Sequence, residues 1–568
     1  MEAAGALRRA APPYLEAARE LVRSRSRAFW IVAGLTALAA ALRFATLGLQ
    51  SYHHDEIVTA SRILREDLWH AMDAVGFSES APPLYYALAW LWTQLTGTGE
   101  VGLRSLSALA GVATVPVAYL LGAELAGRRP VTAAPRPLRA QGVVHRRPEG
   151  DARRRGAGGG RAAGGALSTG VVAAALVAVN PMLLWYSQEA RAYALLILLA
   201  ALSLLFFVRS LPRPPADVPV VDHPYGRSTT GTSRDMALWG VFSGLALATH
   251  YFAVFPLAVE ALWLLARRGR EAARGLAILA GFGLALAPLA IHQMSYGHAE
   301  WIANHTLGHR LWEIGVTFSV GEIGDIVARP ERPLLALAPA LAMAAALALL
   351  ALRGSRAERR AGGTMLTIAA ATVAIPVALA LLDQGKDYVL ARNLVPALVP
   401  LLLAVAVGVT LRGARRAGVL LGAVLVAYSL GFSVWASLSP ALQRPDWDPV
   451  AAELGEPATP RAMVTWTLGA ASLRYYLSTG SFQAHPSEGF EWWVGEVDFI
   501  SDGAAPPPPR DLLGPGFRRV EQVEVGRLHL RRYVRTGPGL ARLRLRAVRR
   551  ADLNFRSNGV LLDGIGPE

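Results

Sequence analysis

Residues 28–56 read AFWIVAGLTALAAALRFATLGLQSYHHDE: an apolar run over 28–41, a lone Arg43, and a short link to the adjacent carboxylates Asp55 and Glu56. The run suits a first membrane-spanning helix. Arg8, Arg9, Arg19, Arg23, Arg25 and Arg27 precede it, and basic flanks stay on the cytoplasmic side. A cleaved signal peptide is the competing reading; Arg43 and the need of later spans for a starting anchor weigh against it. The acidic pair then falls at the far membrane surface, where two adjacent charges are costly unless solvated or used.

The remainder of the chain repeats this pattern. Of 568 residues 53% are hydrophobic and 17% charged, a composition that belongs in a bilayer. Lys and Arg (57) exceed Asp and Glu (42), but the arginines cluster in short loops between apolar stretches. That bias marks topology and excludes a continuous basic face for nucleic acid. With no cysteine, disulfides, thiolate nucleophiles and Cys-ligated zinc are excluded.

Further spans are expected at about 103–125, 168–186, 192–208, 275–295, 333–352, 364–382, 389–411 and 417–438. The apolar stretch 236–266 would be about 46 Å long as one helix, against a hydrocarbon core of about 30 Å. With Arg234 and Arg267 at its two ends it reads as two crossings that turn near His250 and Tyr251. The aromatic run 82–95, with Tyr85, Tyr86, Trp90 and Trp92, reads as an interfacial helix: if it crossed, the arginines of 128–147 would face the wrong side.

The expected architecture is therefore a polytopic α-helical membrane protein with about eleven transmembrane helices. Residues 1–28 form a cytoplasmic N-terminal segment and 29–439 the transmembrane domain. Within it, 129–167 form a flexible cytoplasmic loop too poor in large apolar side chains to bury a core. The loops 297–332 and 383–388 face out. Beyond residue 440 the composition turns soluble, with a strand signal at 462–467 and a helix signal at 473–477, so 440–535 reads as a small extracytoplasmic α/β domain. The tail 536–568 shows no clear periodicity.

Three charged clusters fall on the outer side. Asp55 and Glu56 diverge on a turn, so one can face a substrate while the other caps a helix over 57–68; a plain helix cap is the bland alternative. Ser187-Gln188-Glu189-Ala190-Arg191-Ala192-Tyr193 lies between two spans. Asp383-Gln384-Gly385-Lys386-Asp387-Tyr388 leads to Arg392, which is drawn into the membrane and needs a partner: a lipid phosphate, or headgroups reached by snorkelling. His53 and His54 are adjacent and rarely share one ion, so no metal site is assigned; a divalent cation stays open and no cofactor is required. His250, His292 and Trp301 read as interfacial residues.

The ordered set His54-Asp55-Glu56, Pro82-Pro83-Leu84-Tyr85-Tyr86, Leu103-Arg104-Ser105-Leu106-Ser107-Ala108 and Tyr186-Ser187-Gln188-Glu189-Ala190-Arg191-Ala192-Tyr193 resembles the protein O-mannosyltransferase and aminoarabinose-transferase superfamily over roughly residues 28–440. The resemblance implies a GT-C fold with juxtamembrane helices in the first outer loop. It also implies a polyprenyl-phosphate-linked sugar as donor and a lipid, glycan or protein hydroxyl as acceptor, with transfer on the extracytoplasmic face of a bacterial-type plasma membrane. By the same analogy Asp55 looks like the general base, and Glu56 would orient it or hold the acceptor, the two forming the catalytic pair. Arg191, Lys386 and Arg392, with Tyr388 nearby, would bind the donor phosphate, while Glu189 and Tyr193 would line the sugar pocket. Related sequences often carry a basic residue before the Pro-Pro pair, where this chain has Ala81. The alternative from another class is a lipid-linked-sugar flippase or transporter, whose mark would be charged groups at mid-span and inverted repeats.

Overall fold

Nearly every apolar stretch becomes a helix, because backbone polar groups in hydrocarbon must be satisfied within their own segment. The computed structural model describes residues 13–64, 67–127, 161–212, 233–296, 302, 305–322, 333–382, 387–477, 480–485, 491–508, 510–513, 516–553 and 557–564. Among these, seven helical runs are long and apolar enough to cross a membrane, or eight if a bent pair counts as one span. The bundle is built from α1 (Pro13–Phe44), α5 (Glu100–Gly127), α6 (Arg161–Val179), α8 (Tyr193–Ser210), α9 (Ser233–Thr249), α10 (Val254–Arg268), α11 (Ala273–Met294), α13 (Pro333–Arg353), α14 (Arg356–Leu382), α15 (Leu398–Val409) and α16 (Arg415–Leu438). Of the expected loop 129–167, residues 129–160 lie outside the described residues, and helix α6 has begun by Arg161.

Helix α15, LVPLLLAVAVGV, is buried at almost every position, as befits a helix apolar all round at the centre of the bundle. The span expected over 168–186 is broken. Asn180 caps a second helix, α7 (Pro181–Ser187), by accepting from Leu183 N at 3.0 Å, and α7 bends away from α6 by 57°. The turn near His250 is present: α9 stops at Thr249, His250 Nδ1 accepts from Phe252 N, and α10 starts at Val254. Helix α10 ends where Gly269 takes φ +52°, a conformation that favours glycine.

The first loop folds into short helices: a single turn α2 (His54–Ile57), a π-helical turn Val58–Ile63, α3 (Leu68–Ser78) and α4 (Leu84–Thr96). The helix expected over 57–68 is thus interrupted, and α3 starts afresh with Asp67 accepting from His70 N. At 13 residues α4 is about 20 Å long, too short to span. Tyr52, Ile57, Leu64, Val75, Tyr85 and Tyr86 give this loop a core of its own, so it is a packed layer on the end of the bundle. Gln293 of α11 fastens it from the side, donating to Val75 O and Ala81 O at 3.0 and 3.1 Å.

After α17 (Trp447–Leu454) the chain forms a six-stranded sheet in the order β2-β8-β1-β4-β6-β5 and a two-stranded ribbon β3-β7. The strands are β1 (Arg461–Trp466), β2 (Phe482–Ala484), β3 (Glu491–Val494), β4 (Glu496–Asp502), β5 (Phe517–Val525), β6 (Leu528–Arg535), β7 (Ala541–Arg544) and β8 (Asn558–Asp563). Only β1 and β4 run parallel, with α18 (Thr467–Tyr476) between them in sequence; the other pairs are antiparallel. The boundary expected at residue 535 is corrected here: β8, from the unassigned tail, is buried throughout and pairs with both β1 and β2 inside the sheet. The helical bundle, the short helices of its first loop and the C-terminal α/β domain match the layout expected from the sequence.

Candidate active site

The link after α1 turns because Arg104, from the start of α5, collects its carbonyls. Nη1 donates to Leu47 O and Gln50 O at 2.9 and 2.8 Å, and Nη2 to Ser51 O at 3.0 Å. These are orphan acceptors beyond a helix end, and a buried guanidinium satisfies three of them at once. The same group grips Glu56 in a two-pronged pair, Nε to Oε1 at 2.8 Å and Nη2 to Oε2 at 2.7 Å. Ala190 N and His53 N also donate to Glu56, at 2.8 and 2.9 Å. Glu56 is fully buried with both oxygens occupied, an arrangement that suits the expected orienting role and leaves neither oxygen for an acceptor: it is the clasp of the first loop. Burial pushes its carboxyl up, and Arg104 more than reverses that, helped by Arg444 and the Ala190 amide, so it stays ionised.

Asp55, one residue earlier on the same turn, points the other way. Its side chain is 24% exposed, and Oδ2 lies 3.1 Å from Arg392 Nη1. The other oxygen lies 3.3 Å from His54 Nε2. Burial raises this carboxyl, but Arg191, His54 and Arg392 together hold it well below the usual carboxylate range. The His54 imidazole is pushed down, first by burial and then by Arg392, Arg191 and Arg444 against the pull of Asp55, and is therefore neutral at pH 7.

Arg191 sits beside Asp55, with Nη1 3.4 Å from its carbonyl oxygen. Its guanidinium is already committed, however: Nη1 and Nη2 each lie 2.9 Å from the two oxygens of Glu79, at the end of α3. Glu189 is 6% exposed and pairs through Oε2 with Arg444 Nη2 at 2.8 Å. Tyr193 packs between Tyr186 and His250 with its ring tilted against both, at centroid distances of 4.7 and 5.6 Å. Tyr388 packs on Phe252 at 5.4 Å, and its carbonyl accepts from Asn393 Nδ2 at 3.0 Å. Lys386 lies outside the described residues. Of the expected set, Asp55, Arg191, Tyr193 and Arg392 gather in one place, with Glu189 and Glu56 behind them.

Four charged residues complete the layer without having been singled out in the sequence. Glu79 and Arg444 neutralise Arg191 and Glu189, Arg104 holds Glu56, and Arg310 of α12 (Leu307–Val320) pairs with Asp387 at 2.5 and 2.6 Å. Arg104 and Arg310 carried one signal, an arginine in or beside an apolar helix, which demands a partner. Their partners lie 48 and 77 residues away and no local pattern reveals them.

His53, His54 and Asp55 place one ligand atom each within 4.8 Å of one another. Two neutral imidazoles and a carboxylate are a donor set for a zinc-like ion more than for magnesium. Arg392 already occupies one oxygen of that carboxylate.

A bundle of spanning helices, with a charged cluster packed at one end beneath an α/β domain, defines a multi-pass membrane protein with a polar site at the ends of its helices. No family model matches the sequence, and no curated protein matches it. Among solved structures it is similar to ArnT from Cupriavidus metallidurans bound to undecaprenyl phosphate, at 16% identity and TM-score 0.31, covering 79% of this chain and 95% of that one. It is also similar to the Archaeoglobus fulgidus oligosaccharyltransferase in its apo form, at 13% identity and TM-score 0.39, over 79% of this chain and 60% of the other. The third is the S. cerevisiae protein O-mannosyltransferase Pmt1-Pmt2 complex bound to the sugar donor, at 18% identity and TM-score 0.31, over 46% of this chain and only 32% of that one.

Proposed function

We propose that the protein is an inverting glycosyltransferase that moves a sugar from a polyprenyl-phosphate donor to a hydroxyl acceptor on the extracytoplasmic face of a bacterial-type plasma membrane. The observation that carries this reading is the Asp55–Arg392 pair: a partly exposed carboxylate held against a guanidinium at the membrane end of the bundle. A carboxylate and a cation within hydrogen-bond reach are what transfer from a phosphate leaving group needs.

The pair also supplies a sequence of events. A donor phosphate competes with Asp55 for Arg392, since guanidinium binds both groups in the same planar geometry. Once Arg392 is taken, its hold on Asp55 weakens and the carboxylate's pKa rises, which makes it a better base for the acceptor. Asp55 then removes the hydroxyl proton as the acceptor oxygen bonds to the anomeric carbon. The bond from that carbon to the phosphate oxygen breaks on the opposite side, and the polyprenyl phosphate leaves with its charge on Arg392. Glu56 takes no proton; buried and ionised, it keeps Asp55 on the substrate side of the turn.

The test is transfer of radiolabelled sugar by purified protein from a panel of polyprenyl-phosphate sugars, with membrane extract as acceptor pool. A labelled product of inverted anomeric configuration is expected from one donor. A folded protein that transfers from none of them overturns the reading.

A further inference from the structure

Arg444 belongs to no helix of the bundle. It lies in the linker between α16 and the C-terminal sheet, yet its side chain is only 6% exposed. Its guanidinium enters between two carboxylates, Nη2 at 2.8 Å from Glu189 Oε2 and Nη1 at 3.7 Å from Glu56 Oε2, while Nη1 donates to Gln188 O at 3.2 Å. Trp185 lies under it, the ring centroid 4.3 Å from Cζ.

The linker around it is stitched to the first loop. Arg444 N donates to Gln50 Oε1 at 3.2 Å, Ser51 N to Asp446 Oδ1 at 3.0 Å, and Trp447 N to Ser51 Oγ at 2.6 Å. From α18, Tyr476 OH accepts from Tyr52 N at 2.5 Å and donates to Glu100 Oε1 at 2.6 Å. Most of these bonds end in residues 50–56 or 188–189, the segments that carry Asp55 and lead into Arg191. Among the described residues Glu189 Oε1 receives no hydrogen bond, so this oxygen is left to accept from a substrate hydroxyl.

We propose that Arg444 is a positioning residue for the transfer reaction: by holding Glu189 Oε2 it fixes Glu189 as an acceptor for a sugar hydroxyl, so that the C-terminal domain's linker completes the active site. This rests on the function proposed above. The charges around Glu189 give the arrangement its pH dependence. Burial pushes its carboxyl up to about 7, Glu56 and Asp55 push the same way, and Arg444 and Arg191 oppose them; Arg104 acts on Glu56 behind. Without Arg444 the carboxyl holds its proton to higher pH, and a protonated Glu189 carries an O–H donor in place of an accepting site and is a weaker acceptor.

The experiment uses the full-length protein and its R444Q, R444K, E189Q and R444Q/E189Q variants, with sugar transfer measured across pH. R444Q is expected to lower kcat on the order of 10²-fold, with a smaller change in KM for the donor, and to move the acidic limb of the profile to higher pH. R444K keeps the charge, so its limb stays near the wild type's and part of the rate returns. The double variant is no slower than the slower single one, because the two residues act as one unit. Wild-type rate and an unmoved limb in R444Q overturn the proposal, as do single effects that multiply in the double variant. Should R444Q fail to fold, E189Q and the neutral double variant, which leaves no buried charge unpaired, carry the comparison: equal rates are expected, and a double variant much slower than E189Q overturns the proposal. A second readout needs no activity: the infrared carboxyl band that E189Q removes should titrate higher without Arg444, and an unmoved titration contradicts the proposal. A wild type that transfers nothing while this band behaves as expected overturns the function alone.

Discussion

Asp55 and Glu56 are neighbours in sequence and opposites in environment. Four protein donors saturate Glu56, whereas Asp55 meets Arg392 and partial solvent. Glu56→Gln turns an amide towards those donors and leaves Arg104 buried without its counter-charge. A loss of roughly 3–5 kcal/mol follows, the usual cost of breaking a buried pair from one side. Thermal unfolding in detergent reads it, and a wild-type melting temperature would show that the clasp is dispensable. The Glu56 carboxyl sits below its ordinary value in the folded state. Its stabilising share is therefore complete above about pH 4.5 and is lost as the pH falls through the depressed folded value. The sequence showed that this pair was unusual, because two charges stood just after a spanning helix. Which carboxylate faces inward depends on Arg104, and that contact is written nowhere in residues 51–60.

At the scale of elements, the helices were legible and their interruptions were not. Apolar length located most of the helices, and the chain turns near His250 within 236–266. The break at Asn180 and Pro181 was hidden inside one continuous apolar run. Strand β8 escaped for a related reason: a strand buried on both faces shows no alternation, and a short apolar run has no period to read. Glu260 of α10 belongs to this scale too. It is 2% exposed, and Oε2 accepts from Ser203 Oγ of α8 and Trp239 Nε1 of α9, both at 2.8 Å, so one carboxyl pins three helices. Glu260→Gln keeps an acceptor in place and should cost under about 1 kcal/mol. Glu260→Leu strands the buried Trp239 Nε1, while Ser203 Oγ keeps Ser243 Oγ at 2.8 Å, and should cost roughly 2 kcal/mol. Equal melting temperatures for the two variants would contradict the pin, and an effect on transport rather than on stability would favour a path through the bundle.

Across the whole molecule, the C-terminal domain is joined to the bundle through the first loop and the linker that follows α16. Its own centre holds a titratable group: Asp498 of β4 is fully buried, with Oδ1 3.2 Å from Arg532 Nε. Burial, then Glu496, pushes this carboxyl up, against Arg532 and Arg461. The folded domain therefore binds a proton that the unfolded chain releases from about pH 4 upward. Stability falls as the pH rises from there through the raised folded value. The melting temperature of the full chain should show this decline, and Asp498→Asn should flatten it; the same slope in both proteins would remove Asp498 as its cause.

The most direct test of the central claim compares wild type and Asp55→Asn for both donor binding and transfer, with the donor identified from the panel. Asp55 competes with the phosphate for Arg392 and then acts as base. The variant should bind the donor at least as tightly as wild type while its transfer rate falls roughly 10²- to 10⁴-fold. Full transfer by Asp55→Asn, or donor binding lost in step with the rate, would contradict the account.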